Sequence, residues 1–115
     1  MLFRSLGASG RIITAFDMVR VLALGADWCN SARGFMFALG CIQSMSCHTD
    51  KCPTGVATQD KSRQRALVVD DKAARVAQFH ESTLEALAEL IAAAGVIPAV
   101  ICTDPHGPIR VSRLI

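Results

Sequence analysis

Asp27-Trp28-Cys29-Asn30-Ser31, followed by Ala32-Arg33-Gly34-Phe35-Met36-Phe37-Ala38-Leu39, is the stretch on which the fold turns. The first five residues read as a short strand. Arg33-Gly34 then opens a helix through Phe35, Met36, Phe37 and Leu39. The same order stands one unit earlier. Leu2 to Leu6 reads as a strand that ends at Gly7-Ala8-Ser9-Gly10. Thr14 is the expected helix N-cap, its hydroxyl placed to accept from a free backbone N–H two or three residues on. Phe16, Val19, Val21, Leu22 and Leu24 suit a short, buried amphipathic helix, with Gly25 as its left-handed stop. Strands alternating with helices imply an α/β fold with a parallel sheet and right-handed crossovers.

Two loops in this pattern follow strand ends and feed helix starts. Free backbone N–H groups and the helix dipole favour a phosphate there. Gly10 lets the backbone approach an anion closely, Ala32, Arg33 and Gly34 offer N–H groups, and Arg33 adds a positive charge. An isolated glycine loop ordinarily makes only a turn. Two such loops one βα unit apart, followed at once by a cysteine run, favour phosphate.

That run is Cys41, Cys47 and Cys52, at C-x5-C-x4-C spacing with Pro53 after the last. Three thiolates are one short of a closed zinc site and lack its usual C-x2-C knuckle. They suit an iron–sulfur cluster better, since thiolates are its usual ligands and Cys-Pro closes the cysteine run of many ferredoxins. Ordinary clusters take four cysteines, so three suggest a missing corner or a fourth ligand that is not a thiolate. Inert buried thiols and a zinc module using Cys41, Cys47, Cys52 and His48 or Asp50 are the alternatives. His48, between the thiols, either donates to a cluster sulfur and tunes its potential or is simply solvated. The odd total of five cysteines argues against a complete disulfide framework.

The 115 residues amount to about one small domain. Apolar residues make up 51% and charged residues 19%, which excludes a disordered chain or a charge-rich coil. A net charge of +2 gives no reason to expect nucleic acid or a membrane surface as partner. No apolar run approaches the ~18 residues of a membrane span, and the N-terminus lacks a secretory pattern. The composition is that of a cytoplasmic globular chain, where disulfides are rare.

The sequence divides into residues 1–40, carrying the βα units and phosphate loops; 41–65, the cysteine-rich loop; 66–95, an amphipathic helix; and 96–115, a divergent tail. Asp70 or Asp71 caps a helix expected from Lys72 to Ala94, with Gly95 as its stop. Val76, Phe79, Thr83, Leu87, Leu90, Ile91 and Ala94 recur at helical spacing, marking a packed face. His80 reads as structural. In the tail, Pro98, Pro105 and Pro108 break regular structure, Thr103 to Gly107 resembles a turn, and Cys102 is isolated.

Two longer passages carry a resemblance. Leu24-Gly25-Ala26-Asp27-Trp28-Cys29-Asn30-Ser31-Ala32-Arg33-Gly34 runs into Ala38-Leu39-Gly40-Cys41. Cys47-His48-Thr49-Asp50-Lys51-Cys52-Pro53-Thr54-Gly55-Val56-Ala57-Thr58-Gln59 follows. Together they resemble the FMN-binding synthase domain of glutamate synthases, in particular the short glutamate-synthase-like proteins, over roughly residues 5–95.

The resemblance implies the C-terminal portion of an FMN-binding (β/α)8 barrel, about its last two βα units. It implies that Gly10 and the Ala32–Arg33–Gly34 turn bind the FMN phosphate, and that Cys41, Cys47 and Cys52 hold a 3Fe–4S cluster. Ser31-Ala32-Arg33 stands where related barrels often carry a glycine after the strand. The implied reaction is the reductive amination of 2-oxoglutarate with ammonia, drawn from glutamine, to L-glutamate. Electrons would come from ferredoxin or an NAD(P)H-linked subunit. A complete barrel needs about 250 residues and eight strands. The expectation is therefore a fragment, inactive alone, either a truncated gene product or one piece of a split barrel, with the residues that bind the flavin ring and 2-oxoglutarate on earlier strands. A small iron–sulfur electron-transfer module is the runner-up.

Overall fold

A computed structural model describes residues 5–95, 101–102 and 109–111. In chain order it contains β1 (Gly7–Ser9), α1 (Ala15–Ala23), β2 (Trp28–Asn30), α2 (Ala32–Leu39), a 3₁₀ turn (Cys47–Thr49), α3 (Lys61–Gln64), α4 (Val69–Ala93), β3 (Ile101–Cys102) and β4 (Ile109–Val111). The chain divides into two compact units. One comprises the residues up to Arg33 and those from Ser82 onward, and the other is Gly34–Glu81.

In the first unit, β1 and β2 pair in parallel, Gly7 opposite Trp28 and Ser9 opposite Asn30, as the strand–helix alternation requires. The sheet order is β1-β2-β4-β3, with β4 antiparallel to both β2 and β3. The sheet is therefore mixed, and the stretch read as a divergent tail supplies two of its strands. The expected turn over residues 103–107 lies outside the described residues.

Most of the strand expected over Leu2 to Leu6 lies outside the described residues; the first described strand is Gly7–Ser9, in the residues read as a glycine loop. Trp28 supplies the reason. Its indole lies against Gly7, its register partner, where a Cβ would overlap the ring atoms. Only glycine gives the ring that space. Just before the strand, the Asp27 carboxylate accepts from the Leu6 N–H at 2.8 Å and the Leu6 carbonyl accepts from the Asp27 N–H at 2.8 Å.

Thr14 caps α1 as expected. Its hydroxyl accepts from the Asp17 N–H at 3.3 Å, and the Asp17 carboxylate accepts from the Thr14 and Ile13 N–H groups, completing a capping box. Those backbone donors hold the Asp17 carboxyl below its ordinary value. At the other end, Gly25 N–H donates to Leu22 and Ala26 N–H to Val21, with Gly25 at φ 110°. This is a Schellman stop, and the positive φ is why glycine is needed there.

Of the apolar side chains expected inside, Val19 and Val21 do pack against the core, but the buried face of α1 departs from expectation elsewhere. Ala15 and Met18 are buried, while Phe16 is 66% and Leu24 83% exposed. The core joins Ile12, Ala15, Met18 and Cys29 to Leu87 and Ile91, one turn apart on α4.

In the second unit, α4 starts at Val69, so Asp70 and Asp71 lie in its first turn rather than before it. Acidic residues there are favoured by the helix dipole. The Phe35 ring of α2 meets Phe79 edge-on at 5.4 Å and His80 at 5.8 Å, which accounts for His80 as a packing residue. Gly95 follows α4 at φ 71°, as expected of its stop.

Candidate functional site

The three cysteines of the run lie in the second unit, each placed by a different local device. Cys41 follows α2 directly. Gly40, at φ 107°, donates its N–H to Phe37, and the Cys41 N–H donates to Met36 at 3.0 Å, so Cys41 is fixed by the helix stop. Cys47 opens the 3₁₀ turn, which closes when the Thr49 N–H and hydroxyl both donate to the Ser46 carbonyl. Cys52 follows Asp50, whose left-handed backbone (φ 62°) reverses the chain.

All three are free thiols of graded depth: Cys47 is exposed, Cys41 half-buried and Cys52 buried. The sulfur of Cys52 sits 3.5 Å from the Thr54 hydroxyl. That hydroxyl foremost, then the backbone N–H groups of Ala57, Thr54 and Val56, pulls the Cys52 thiol down to about 7 against the smaller opposing effect of burial. Hydrogen bonds to a thiolate favour the ionised form. The thiolate is the form that ligates metal.

A polar network holds the loop around these sulfurs. Thr58, 8% exposed, donates its hydroxyl toward the Asp50 carbonyl (2.6 Å) and carboxylate (3.0 Å), and the same carboxylate oxygen accepts from the Gln59 N–H at 2.5 Å. The Thr58 hydroxyl also accepts from the Asp60 N–H at 3.1 Å. Asp60 in turn caps α3 through Ser62, and Gln64 of α3 donates back to the Thr58 carbonyl at 2.8 Å. The Arg63 guanidinium reaches the Lys51 carbonyl at 3.4 Å. Gly55, at φ 78°, lies so close to the Arg63 carbonyl that a Cβ would overlap it. Thus Asp50, Gly55, Thr58 and Gln64 staple the segment bearing Cys47 and Cys52 to α3. Sequence reading named Asp50 only as a possible zinc ligand and gave Gly55, Thr58 and Gln64 no role in holding the loop. The signal was present in the density of Asp, Thr and Gly, which turn and cap readily, on both sides of Cys52.

Among the described residues, no three His, Cys, Asp or Glu side chains gather to hold one metal ion. A zinc site needs its donors within about 2.3 Å of a single point. Cys41, Cys47 and Cys52 with His48 or Asp50 do not form that arrangement, and Asp50 is occupied by Thr58 and Gln59. His48 lies exposed in the 3₁₀ turn.

The expected phosphate loops belong to parallel strands, and both leave from the same, C-terminal, ends of β1 and β2. Gly10 has φ 100° and Arg11 φ 53°, and no atom stands within 4 Å of where a Gly10 Cβ would be. The buried Ser31 hydroxyl donates to the Ile12 carbonyl at 2.8 Å, tying one loop to the other. Ala32 and Arg33 are exposed in the first turn of α2, and Gly34 is buried. The first N–H groups of a helix have no partner within it.

Residues 4–97 match the family model described as the conserved region in glutamate synthase. The chain belongs to the glutamate synthase family. This glutamate synthase family member is 49% identical, over 86% of its length, to the glutamate synthase large subunit-like protein YerD of Bacillus subtilis. It is 36% identical over 80% of its length to the archaeal glutamate synthase (NADPH) of Methanocaldococcus jannaschii. It is 43% identical over 52% of its length to the ferredoxin-dependent glutamate synthase 2 of Synechocystis. It spans 19%, 18% and 4% of those relatives, respectively. No solved structure matches. Among the described residues, no helix is long and apolar enough to cross a membrane.

Proposed function

We propose that this chain supplies the cluster-holding and phosphate-holding part of a glutamate-synthase-type oxidoreductase. Cys41, Cys47 and Cys52 are the ligands of a 3Fe–4S cluster. The observation that carries this reading is the cysteine loop: three free thiols on a stapled backbone, one of them surrounded by hydrogen-bond donors, in a member of this family. In a cluster each thiolate meets its own iron, so the sulfurs need not converge on one point as they must around zinc.

Gly10, Ala32, Arg33 and Gly34 are proposed to hold the phosphate of FMN. The parallel β1–β2 pair, the open space above Gly10 and the shared strand end support this; the loops after the last strands of a (β/α)8 barrel are where phosphate sites occur. Bound FMN takes electrons singly and returns them as a pair, and a cluster is a one-electron carrier suited to feed it. The chain's own part is to bind. Helix N–H groups and Arg33 neutralise phosphate, and the Asp50–Thr58 staple keeps the thiolates in place. The reaction served is the amination of 2-oxoglutarate by glutamine-derived ammonia to L-glutamate, in the cytoplasm. Relatives named for NADPH and for ferredoxin point to the two classes of electron donor. The isolated chain is expected to be inactive, with residues of the flavin ring and substrate sites contributed by other polypeptide.

Anaerobic expression of the full chain, followed by iron, acid-labile sulfide, zinc and flavin assays, tests the reading. Iron with sulfide is expected. Zinc without sulfide contradicts it. Tight binding of added FMN by the isolated chain would contradict the assignment of the flavin ring to other polypeptide.

A further inference from the structure

Among the three proposed ligands, Cys52 differs in its surroundings. It is 6% exposed, whereas Cys47 is exposed and Cys41 half-buried. Pro53 fixes the backbone after it, and the Gly55 N–H closes a turn onto the Cys52 carbonyl at 3.4 Å. That turn sets the Thr54 hydroxyl 3.5 Å from the Cys52 sulfur, a distance within hydrogen-bond range for sulfur. Water has little access to compete for the same sulfur. Among the described residues, no other proposed ligand has a side-chain hydroxyl as its hydrogen-bond partner. Among the described residues, Thr54 makes no other side-chain hydrogen bond that would require its hydroxyl to turn away.

Resting on the cluster reading above, we propose that Thr54 sets the reduction potential of the cluster by donating its hydroxyl to the Cys52 thiolate. Reduction adds one electron from an external reductant and so one negative charge, spread over the inorganic core and its ligand sulfurs. No bond to protein forms or breaks. A hydrogen bond to that sulfur strengthens as the charge on it grows. The reduced state is thus stabilised more than the oxidised state, and the potential rises. Thr54 is distinct from the ligands themselves, so its role is separable from assembly.

The test compares the full chain with Thr54→Val, which keeps the shape and removes the hydroxyl, and Thr54→Ser, which keeps the hydroxyl. Each is prepared anaerobically, assayed for iron and sulfide, and titrated with dithionite while the cluster's paramagnetic signal is followed. Thr54→Val is expected to retain its iron and to be harder to reduce by roughly tenfold in the redox equilibrium, about 59 mV for a one-electron couple. Thr54→Ser is expected to titrate with the wild type. Equal midpoints for wild type and Thr54→Val at full iron content overturn the inference alone. So does a Thr54→Val variant that loses iron while Thr54→Ser keeps it, because that makes the hydroxyl structural. An iron-free wild type overturns the cluster reading and this inference with it.

Discussion

Gly55→Ala is the sharpest perturbation of the cysteine loop that leaves every cysteine in place. Its methyl group would overlap the Arg63 carbonyl oxygen and approach the Arg63 carbonyl carbon to 3.1 Å and the Gln64 Cα to 3.4 Å. Those are backbone atoms of α3 and cannot swing aside as a side chain would. The substitution also places a Cβ at φ 78°. The left-handed conformation costs about 1–2 kcal/mol for a residue with a Cβ. Forcing a methyl group into filled space adds roughly 1–3 kcal/mol. The sum is about 2–5 kcal/mol. Gly40→Ala separates the two contributions. It lies in the same unit at φ 107°, and its nearest contact is the flexible end of Lys72 at 3.6 Å. Only the conformational cost of about 1–2 kcal/mol should appear there. Urea unfolding of the full chain, followed by circular dichroism, measures both. Gly55→Ala is expected to be the more destabilised by at least about 1 kcal/mol. If Gly55→Ala unfolds at the same urea concentration as Gly40→Ala, the close approach of the loop to α3 is wrong.

Thr58→Val keeps the shape of a buried side chain but strips the hydrogen bonds to Asp50 and from Asp60. A loss of about 1.5–3 kcal/mol is expected in the same unfolding assay, as for hydrogen bonds to charged groups. An unchanged midpoint would remove Thr58 from the staple. The thiol of Cys52 should titrate near 7 in the apo chain, seen as thiolate absorbance that disappears in Cys52→Ser. Because its folded value lies below its ordinary 9.0, its contribution to stability is complete above that value and is lost as pH falls through about 7. Titration at the ordinary thiol value would contradict the arrangement of donors. Asp17 is likewise held below its ordinary 3.8, so the stability gap between wild type and Asp17→Asn should be full above that value. The gap should close as pH falls through the lowered one. A gap independent of pH would mean that the capping box does not depend on the carboxylate.

What could be read from sequence was mostly what neighbours in the chain decide. Thr14 and Gly25 bracket α1 through bonds spanning three to five residues, so their types alone announced them. The parallel β1–β2 pair followed from the alternation of strand and helix. The strand at Gly7–Ser9 was not anticipated because apolar Leu2–Leu6 looked more strand-like. The deciding contact, the Trp28 indole on Gly7, joins residues far apart in sequence. Phe16 and Leu24 were expected inside by size, yet Ala15 and Met18 face the core. Which side of a short helix is covered depends on Leu87 and Ile91, far along the chain. At the site, the cysteines stood out by spacing. The Asp50–Thr58 staple did not, because Thr and Asp are ordinary in loops and only their eight-residue reach gives them away.

The assignment of three thiols to one inorganic core is open to direct measurement. Bound iron and acid-labile sulfide should be measured per chain in the anaerobically prepared wild type and in Cys41→Ala, Cys47→Ala, Cys52→Ala and Cys29→Ala. Iron and sulfide are expected in the wild type and in Cys29→Ala, whose thiol is buried in the core, and are expected to be lost in each of the other three. Full iron and sulfide in Cys47→Ala, or none in the wild type, would contradict the assignment.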